Sequence, residues 1–225
     1  MNMRHFVIAD IHGHAVALES LLQELSLSHN DRVTFLGDYI DHGPDSRRVI
    51  DIIRLLNCHS QCLMGNHESL LLASLHDSEI ERHWRRYGGD RTLESFGVAG
   101  PQDIPSEYID WIQSLRAWVE DSDSIFVHAG LNPALAMVAQ TEDDLLWIHP
   151  TFPIVHVSGK TVYSGHTPRV DPLVSKNHIS LDTGITSGGL LSCYCITNGE
   201  WVQSDTRGNV SKDAHSLVNK RDGVI

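Results

Sequence analysis

Two aspartates and a histidine crowd into the heptapeptide 37–43, Gly-Asp-Tyr-Ile-Asp-His-Gly. The stretch follows an apolar run, Val33-Thr34-Phe35-Leu36, that reads as a buried strand. It precedes Pro44-Asp45, which reads as a helix start. Carboxylates where a strand gives way to a loop can hold a cation or manage a proton. Alone, a turn-forming Gly-Asp before a helix cap is an ordinary loop. The same residue types recur, however, at other strand ends. Asp10 and His12 follow the apolar run 5–9, and Asn66 and His67 follow 61–64. His128 follows 124–127, and His166 follows 160–164. Each piece adjoins a glycine, which lets the backbone turn sharply and approach an ion or a phosphate. A mixed carboxylate, imidazole and amide set suits Mn²⁺, Fe or Zn²⁺ and is too rich in nitrogen for Ca²⁺ or Mg²⁺. It has too many members for one ion. Two ions about 3.5–4 Å apart, sharing a carboxylate, form the arrangement that hydrolyses phosphate esters.

The intervening segments are those needed to position such ligands. Apolar residues at Val16, Leu18, Leu21, Leu22 and Leu25 have helical spacing, as do Val49, Ile50, Ile52, Ile53, Leu55 and Leu56. Residues 69–75 continue as a helix after His67. The order β-α-β-α-β-α predicts an α/β sheet, with ligands beyond the carboxyl ends of its strands. Residues 77–117 read as an inserted cap of short helices, broken at Gly88-Gly89, with Trp84 and Trp111 as core residues. Strands follow over 124–127, 160–164 and 178–181. The segments 189–197 and 201–204 form an antiparallel pair turned by Asn198-Gly199. The domain therefore spans 1–205, and 206–225 reads as a loosely held polar tail.

Composition narrows the partners. The 225 residues suit one domain or at most two, and 41% hydrophobic residues supply a core. The net charge is −12 and no Lys/Arg cluster stands out, which argues against nucleic acid. No apolar run is long enough to span a bilayer, and no secretory leader opens the chain. The four cysteines have no zinc-ribbon spacing and read as reduced thiols. A cytoplasmic location is the expectation.

The chain resembles the metal-dependent phosphoprotein phosphatases of the calcineurin-like metallophosphoesterase superfamily. That pattern runs Gly-Asp-x-His-Gly, Gly-Asp-x-x-Asp-Arg-Gly, Gly-Asn-His-Glu, His-Ala-Gly and Gly-His-Thr. Here the counterparts are Ala9-Asp10-Ile11-His12-Gly13, the heptapeptide 37–43, Gly65-Asn66-His67-Glu68, His128-Ala129-Gly130 and Gly165-His166-Thr167. Gly88-Gly89 with Thr92-Leu93, and Asp182-Thr183-Gly184, are similar to the small bacterial branch. That branch includes the phage lambda type phosphatase and the symmetrical diadenosine tetraphosphate hydrolases. The resemblance implies a β-sandwich flanked by helices, with the active site at the strand ends. It implies two divalent ions, Mn²⁺ first, with Fe or Zn²⁺ as alternatives. Asp10 and His12 would hold the first ion and Asp38 would bridge. Asn66, His128 and His166 would hold the second. His67 would be the general acid, oriented by Asp41, while hydroxide activated by both ions attacks phosphorus.

Two departures stand out. His42 replaces an arginine, and His149, in Trp147-Ile148-His149, stands where a second phosphate-binding arginine is expected. Arginine carries a permanent charge and a two-pronged donor, which histidine lacks. His42, Asn66, His149 and Arg169 are the expected substrate contacts, with Arg91 and Lys160 as further candidates. The main expectation is phosphomonoester hydrolysis on phosphoproteins or small esters. The alternative is symmetrical dinucleoside polyphosphate hydrolysis, whose enzymes by resemblance tend to lack the aspartate at position 41. A weakly active phosphate-sensing scaffold is the third.

Overall fold

A computed structural model describes residues 3–212. The chain opens with β1 (His5–Ile8), α1 (Ala15–Leu25), β2 (Arg32–Phe35), α2 (Ser46–Arg54), β3 (His59–Cys62) and α3 (Asn66–Ser74). The three strands are parallel, in the order expected. Strand β3 ends two residues earlier than the apolar run 61–64 suggests. It is a partly exposed sheet edge, so it has no need of an apolar sequence. Leu63 instead bridges to Arg116.

The expected helical insertion comprises α4 (Ser78–Trp84), a π-helical turn over 85–89, α5 (Asp90–Phe96) and α6 (Ser106–Gln113). It is not a detached lid. Trp84, Leu93, Tyr108 and Ile112 share one core with Leu18 and Leu21 of α1 and with Val49 and Ile50 of α2.

The second half holds β4 (Trp118–Glu120), β5 (Ser124–Val127), α7 (Glu142–Leu146), β6 (Thr161–Ser164), β7 (Leu173–Val174) and β8 (His178–Ser180). It closes with β9 (Leu191–Cys195), β10 (Trp201–Ser204) and β11 (Val210–Ser211). Strands β4 and β7 and helix α7 are too short for a periodic signal. Strand β11 lies inside the stretch expected to be tail and pairs with β10, a correction to that reading. The rest of the expected tail, 213–225, lies outside the described residues. All four cysteines are unpaired. Among the described residues no helix is long and apolar enough to cross a membrane.

The strands form two sheets, in the orders β11-β10-β9-β1-β2-β3 and β4-β5-β6-β8-β7. Side chains alternate along a strand, so β1 serves two cores at once. Phe6 and Ile8 face the helices, while Val7 and Ala9 face the other sheet. Between the sheets, Val7, Ala9 and Leu36 meet Phe126, Tyr163 and Leu181. A third cluster packs Ile125, Val127 and Val162 beneath Leu145 and Leu146 of α7. The result is a β-sandwich flanked by helices. It directs the carboxyl ends of β1, β2, β5 and β6 toward one region.

Two histidines are built into this core as neutral groups. The His5 Nε2 lies 2.9 Å from the Thr34 hydroxyl. The Ile154 N–H donates to His178 Nδ1 at 3.1 Å, so that nitrogen has no proton, and Nε2 lies 2.9 Å from Ser164 Oγ. Burial pushes both from the ordinary 6.5 down to about 4, and the Arg169 charge adds to this at His178. The unfolded chain takes up these protons below about pH 6.5, whereas the folded chain holds out until about pH 4. Stability should be complete above about pH 6.5 and fall by up to about 3 kcal/mol per histidine as the pH drops to about 4. Urea unfolding of chelator-treated protein at stepped pH checks this. His5→Gln and His178→Asn should each remove part of the slope, and an unaltered slope in both would contradict the assignment.

Candidate active site

The loop after β2 is the centre of the site. Its residues leave the sheet through unusual backbone angles: Gly37 has φ +108°, Asp38 +51°, Asp41 +72° and His42 +60°. His12 and His166 also sit at positive φ. Such conformations cost free energy for residues with side chains and persist only where the surroundings enforce them. The enforcing group is Glu68, fully buried in the first turn of α3. Its Oε2 accepts the N–H groups of Asp38 (2.9 Å) and Gly65 (3.0 Å). Its Oε1 accepts those of Tyr39 (2.8 Å) and Ile40 (3.2 Å). Burial raises the Glu68 pKa, and the nearby His67 and the Tyr39 and Ile40 N–H groups oppose that rise. Close approach demands glycine at two further points. A Cβ on Gly165 would lie 2.0 Å from Asp10 Oδ1, and one on Gly65 would lie 2.1 Å from Asp38 Oδ1.

The expected metal ligands come together as two overlapping triads, Asp10-His12-Asp38 and Asp38-His128-His166. Within each triad the candidate ligand atoms lie within 4.8 Å of one another. The shared residue is Asp38, whose Oδ2 is 3.4 Å from His12 Nε2 and 3.4 Å from His128 Nε2. Asn66 Oδ1 lies 2.8 Å from His128 Nε2, and the His166 N–H donates to Asp10 Oδ2 at 2.9 Å. The inner nitrogens are aimed by main-chain carbonyls: His12 Nδ1 by Ile40 (3.0 Å) and His128 Nδ1 by Leu36 (2.9 Å). Such backing fixes ring orientation and leaves Nε2 for a metal.

The electrostatics fit cations. Burial pushes the Asp10 and Asp38 carboxyls well above the usual range, with Asp182 crowding Asp10 and Glu68 crowding Asp38. Burial pushes Asp182 itself up to about 6. Burial, together with the neighbouring imidazoles, pushes His12 and His128 well below their ordinary value. His166 Nε2 is buried and makes no hydrogen bond among the described residues. Crowded carboxylates, neutral imidazoles and one unpartnered ring nitrogen are a donor set for divalent ions.

Beside the cluster, His67 Nδ1 lies 2.7 Å from Asp41 Oδ2. Trp84 Nε1 donates to the same oxygen at 2.9 Å, and the Thr92 hydroxyl donates to Oδ1 at 2.6 Å. Trp84 was expected to be core alone; it is core and also holds Asp41. The rings of His12, His42 and His67 stand 4.8–4.9 Å apart, edge to face. His149 stacks on His166 at 4.8 Å and lines a cleft of about 310 Å³ with His12, Asp38, Asn66 and His67. Arg169 is not among the residues that line this cleft; its guanidinium lies 5.3 Å over the Phe152 ring. Arg91 pairs with Glu94 and Lys160 with Glu120, and neither is among the residues lining the cleft. Tyr87, Trp147 and Asp182 line the cleft without having been assigned to it. The Asp-Thr-Gly motif was the available signal for Asp182. Nothing in the sequence pointed to Tyr87.

Two triads of candidate ligands thus meet at one aspartate, at the strand ends of a helix-flanked sandwich. The family model for calcineurin-like phosphoesterases matches residues 3–189, and the chain belongs to that family. A symmetrical bis(5'-nucleosyl)-tetraphosphatase of Erwinia tasmaniensis is 28% identical over 68% of this chain and 55% of its own length. The chain therefore matches only about half of that relative. An asymmetrical bis(5'-nucleosyl)-tetraphosphatase of Oceanobacillus iheyensis is 25% identical over 91% of this chain and 93% of its own length. A crystal structure of a proposed diadenosine tetraphosphatase superposes with a TM-score of 0.72 at 23% identity, over 89% of this chain and 92% of that one.

Glu68→Gln tests what holds the loop. The amide keeps one acceptor oxygen and turns an NH₂ group toward two N–H donors. It should lower the stability of metal-free protein by about 2–4 kcal/mol. Urea unfolding measures this, and elemental analysis should show weakened metal uptake. A change below about 0.5 kcal/mol would mean that the loop holds its shape without Glu68.

Proposed function

We propose that this protein is a dinucleoside polyphosphate hydrolase. One observation carries the reading: the asymmetrical bis(5'-nucleosyl)-tetraphosphatase matches along nearly its whole length, including the segments between the motifs. The sequence alone ranked phosphoprotein phosphatase first, on the strength of Asp41. The relatives reverse that order. Divalent cations held by Asp10, His12, Asp38, Asn66, His128 and His166 would acidify a water and bind phosphate oxygens. The oxygen of that water joins phosphorus, and the P–O bond to the leaving group breaks. His67, with Nδ1 held by Asp41, presents Nε2 to give the leaving oxygen its proton. Asp41 is itself fixed by Trp84 and Thr92, so the ring is aimed before substrate arrives. His42 and His149 offer hydrogen bonds without permanent charge.

A second reading, phosphoprotein phosphatase, is supported by the same dyad. An alkoxide leaving group needs a proton far more than the phosphate leaving group of an anhydride does. An acid backed by a carboxylate that two further donors hold is more than anhydride cleavage requires.

The deciding experiment supplies Mn²⁺ and compares diadenosine tetraphosphate with phosphoserine and phosphotyrosine peptides, separating the products by chromatography. The dinucleotide should be turned over with kcat/KM on the order of a hundred-fold or more above the peptides. The reverse preference would establish the second reading. The products, two ADP or AMP with ATP, report which anhydride is cut.

The leaving group also exposes the acid. His67→Asn should lower kcat on serine phosphate by roughly 10²–10⁴, and by much less on diadenosine tetraphosphate and p-nitrophenyl phosphate. Trp84→Phe, which keeps the packing but loses the donor to Asp41, should show the same ordering at about ten-fold. Equal losses on all three substrates would exclude proton donation by His67.

A further inference from the structure

A second cavity, of about 390 Å³, adjoins the metal cleft. Trp147 lines both. A row of rings joins them: Tyr87 lies 6.0 Å from His67 and 5.2 Å from His83, which lines the second cavity. In the proposed reaction His67 faces the leaving group, which would put the second cavity on the leaving-group side.

The two spaces differ in charge. Among the described residues no lysine or arginine lines the metal cleft. The second cavity, among the described residues, is lined by Arg82 and Arg86 and by the acid Glu79, and Glu142 accepts a hydrogen bond from the lining Ser69 at 2.8 Å. The acids nearest in sequence, Glu81 and Asp90, pair with Arg85 and leave Arg86 facing the cavity. Arg82 uses Nε on the Ser78 carbonyl at 3.4 Å, which leaves its terminal nitrogens for a ligand. In a chain of net charge −12 such a pair selects anions. The floor, Leu70 and Ala73, is apolar, and Trp147 offers a flat ring. Guanidinium groups beside an aromatic face and an apolar floor suit a phosphate joined to a flat heterocycle.

We infer that this cavity holds the leaving nucleotide, with Arg82 and Arg86 on the phosphates beyond the cleaved bond and the base against Trp147. The inference rests on the proposed hydrolysis of dinucleoside polyphosphates. It accounts for a metal cleft without arginine: the missing cations stand one cavity further along the polyphosphate chain.

Two measurements test it on the full chain, using wild type, Arg86→Glu and Ala73→Trp. The first is the ratio of kcat/KM on diadenosine tetraphosphate to that on p-nitrophenyl phosphate, an ester too short to leave the metal cleft. Both variants should lower it about ten-fold or more. The second is calorimetric titration of chelator-treated protein with ADP, inorganic phosphate serving as control, and needs no turnover. ADP affinity should fall about ten-fold in both variants. An ADP affinity equal in all three proteins, or no binding to wild type, overturns the cavity assignment whatever the activity. Arg86-dependent ADP binding without turnover of the dinucleotide overturns the proposed function and upholds the nucleotide site. Where the two measurements disagree, ADP affinity decides.

Discussion

One buried carboxylate sets the geometry on which the site depends. Glu68 gathers four main-chain N–H groups, three from the loop after β2 and one from the start of its own helix. Without such an acceptor those groups would be buried and unpaired, at a cost of about 1–3 kcal/mol each. With it, Asp38 can keep a left-handed backbone and turn both oxygens inward. The parallel pairing of β1, β2 and β3 brings Glu68 within reach, because consecutive strand ends lie side by side. Helix packing, strand order and loop strain therefore converge on the placement of one side chain.

The cluster is costly for the metal-free fold to hold. Three carboxylates, Asp10, Asp38 and Asp182, are pushed toward protonation by burial. The imidazoles beside them are pushed toward neutrality by the same burial. The contacts between the two groups are long, 3.4 Å from Asp38 Oδ2 to His12 Nε2 and to His128 Nε2, and His166 Nε2 makes no hydrogen bond among the described residues. A divalent ion resolves both problems at once. Function here opposes stability, as is common at active sites.

Much of this was legible from residue types. Ligand residues beside glycines at the ends of apolar runs have a strong local signature, and Asp10, His12, Asp38, Asn66, His128 and His166 meet where the motifs implied. What escaped notice depends on tertiary direction. Trp84 has the pattern of a core residue and is one, yet its indole N–H points at Asp41, a fact no periodicity encodes. Thr92 reaches the same aspartate across 51 residues of sequence. Arg169 follows the Gly-His-Thr motif by two residues, and its guanidinium lies over the Phe152 ring, a direction that its place in the sequence does not encode. Strands β4 and β7 are held by their neighbours rather than by their own propensity, so they leave little trace in the sequence.

The cluster also straddles the two sheets. Asp10, His12, Asp38 and Asn66 belong to the first half of the chain, while His128 and His166 extend from the second sheet. An ion shared between them is a cross-link between segments as much as 156 positions apart, the separation of Asp10 from His166. An ion that bound the assembled sandwich and not the open chain would, by mass action, make folding track the supply of metal. A hundred-fold excess over the dissociation constant adds roughly 2.7 kcal/mol. A centre loaded in this way would also be a clasp, and the lifetime of the folded protein would become a gauge of the divalent cations around it.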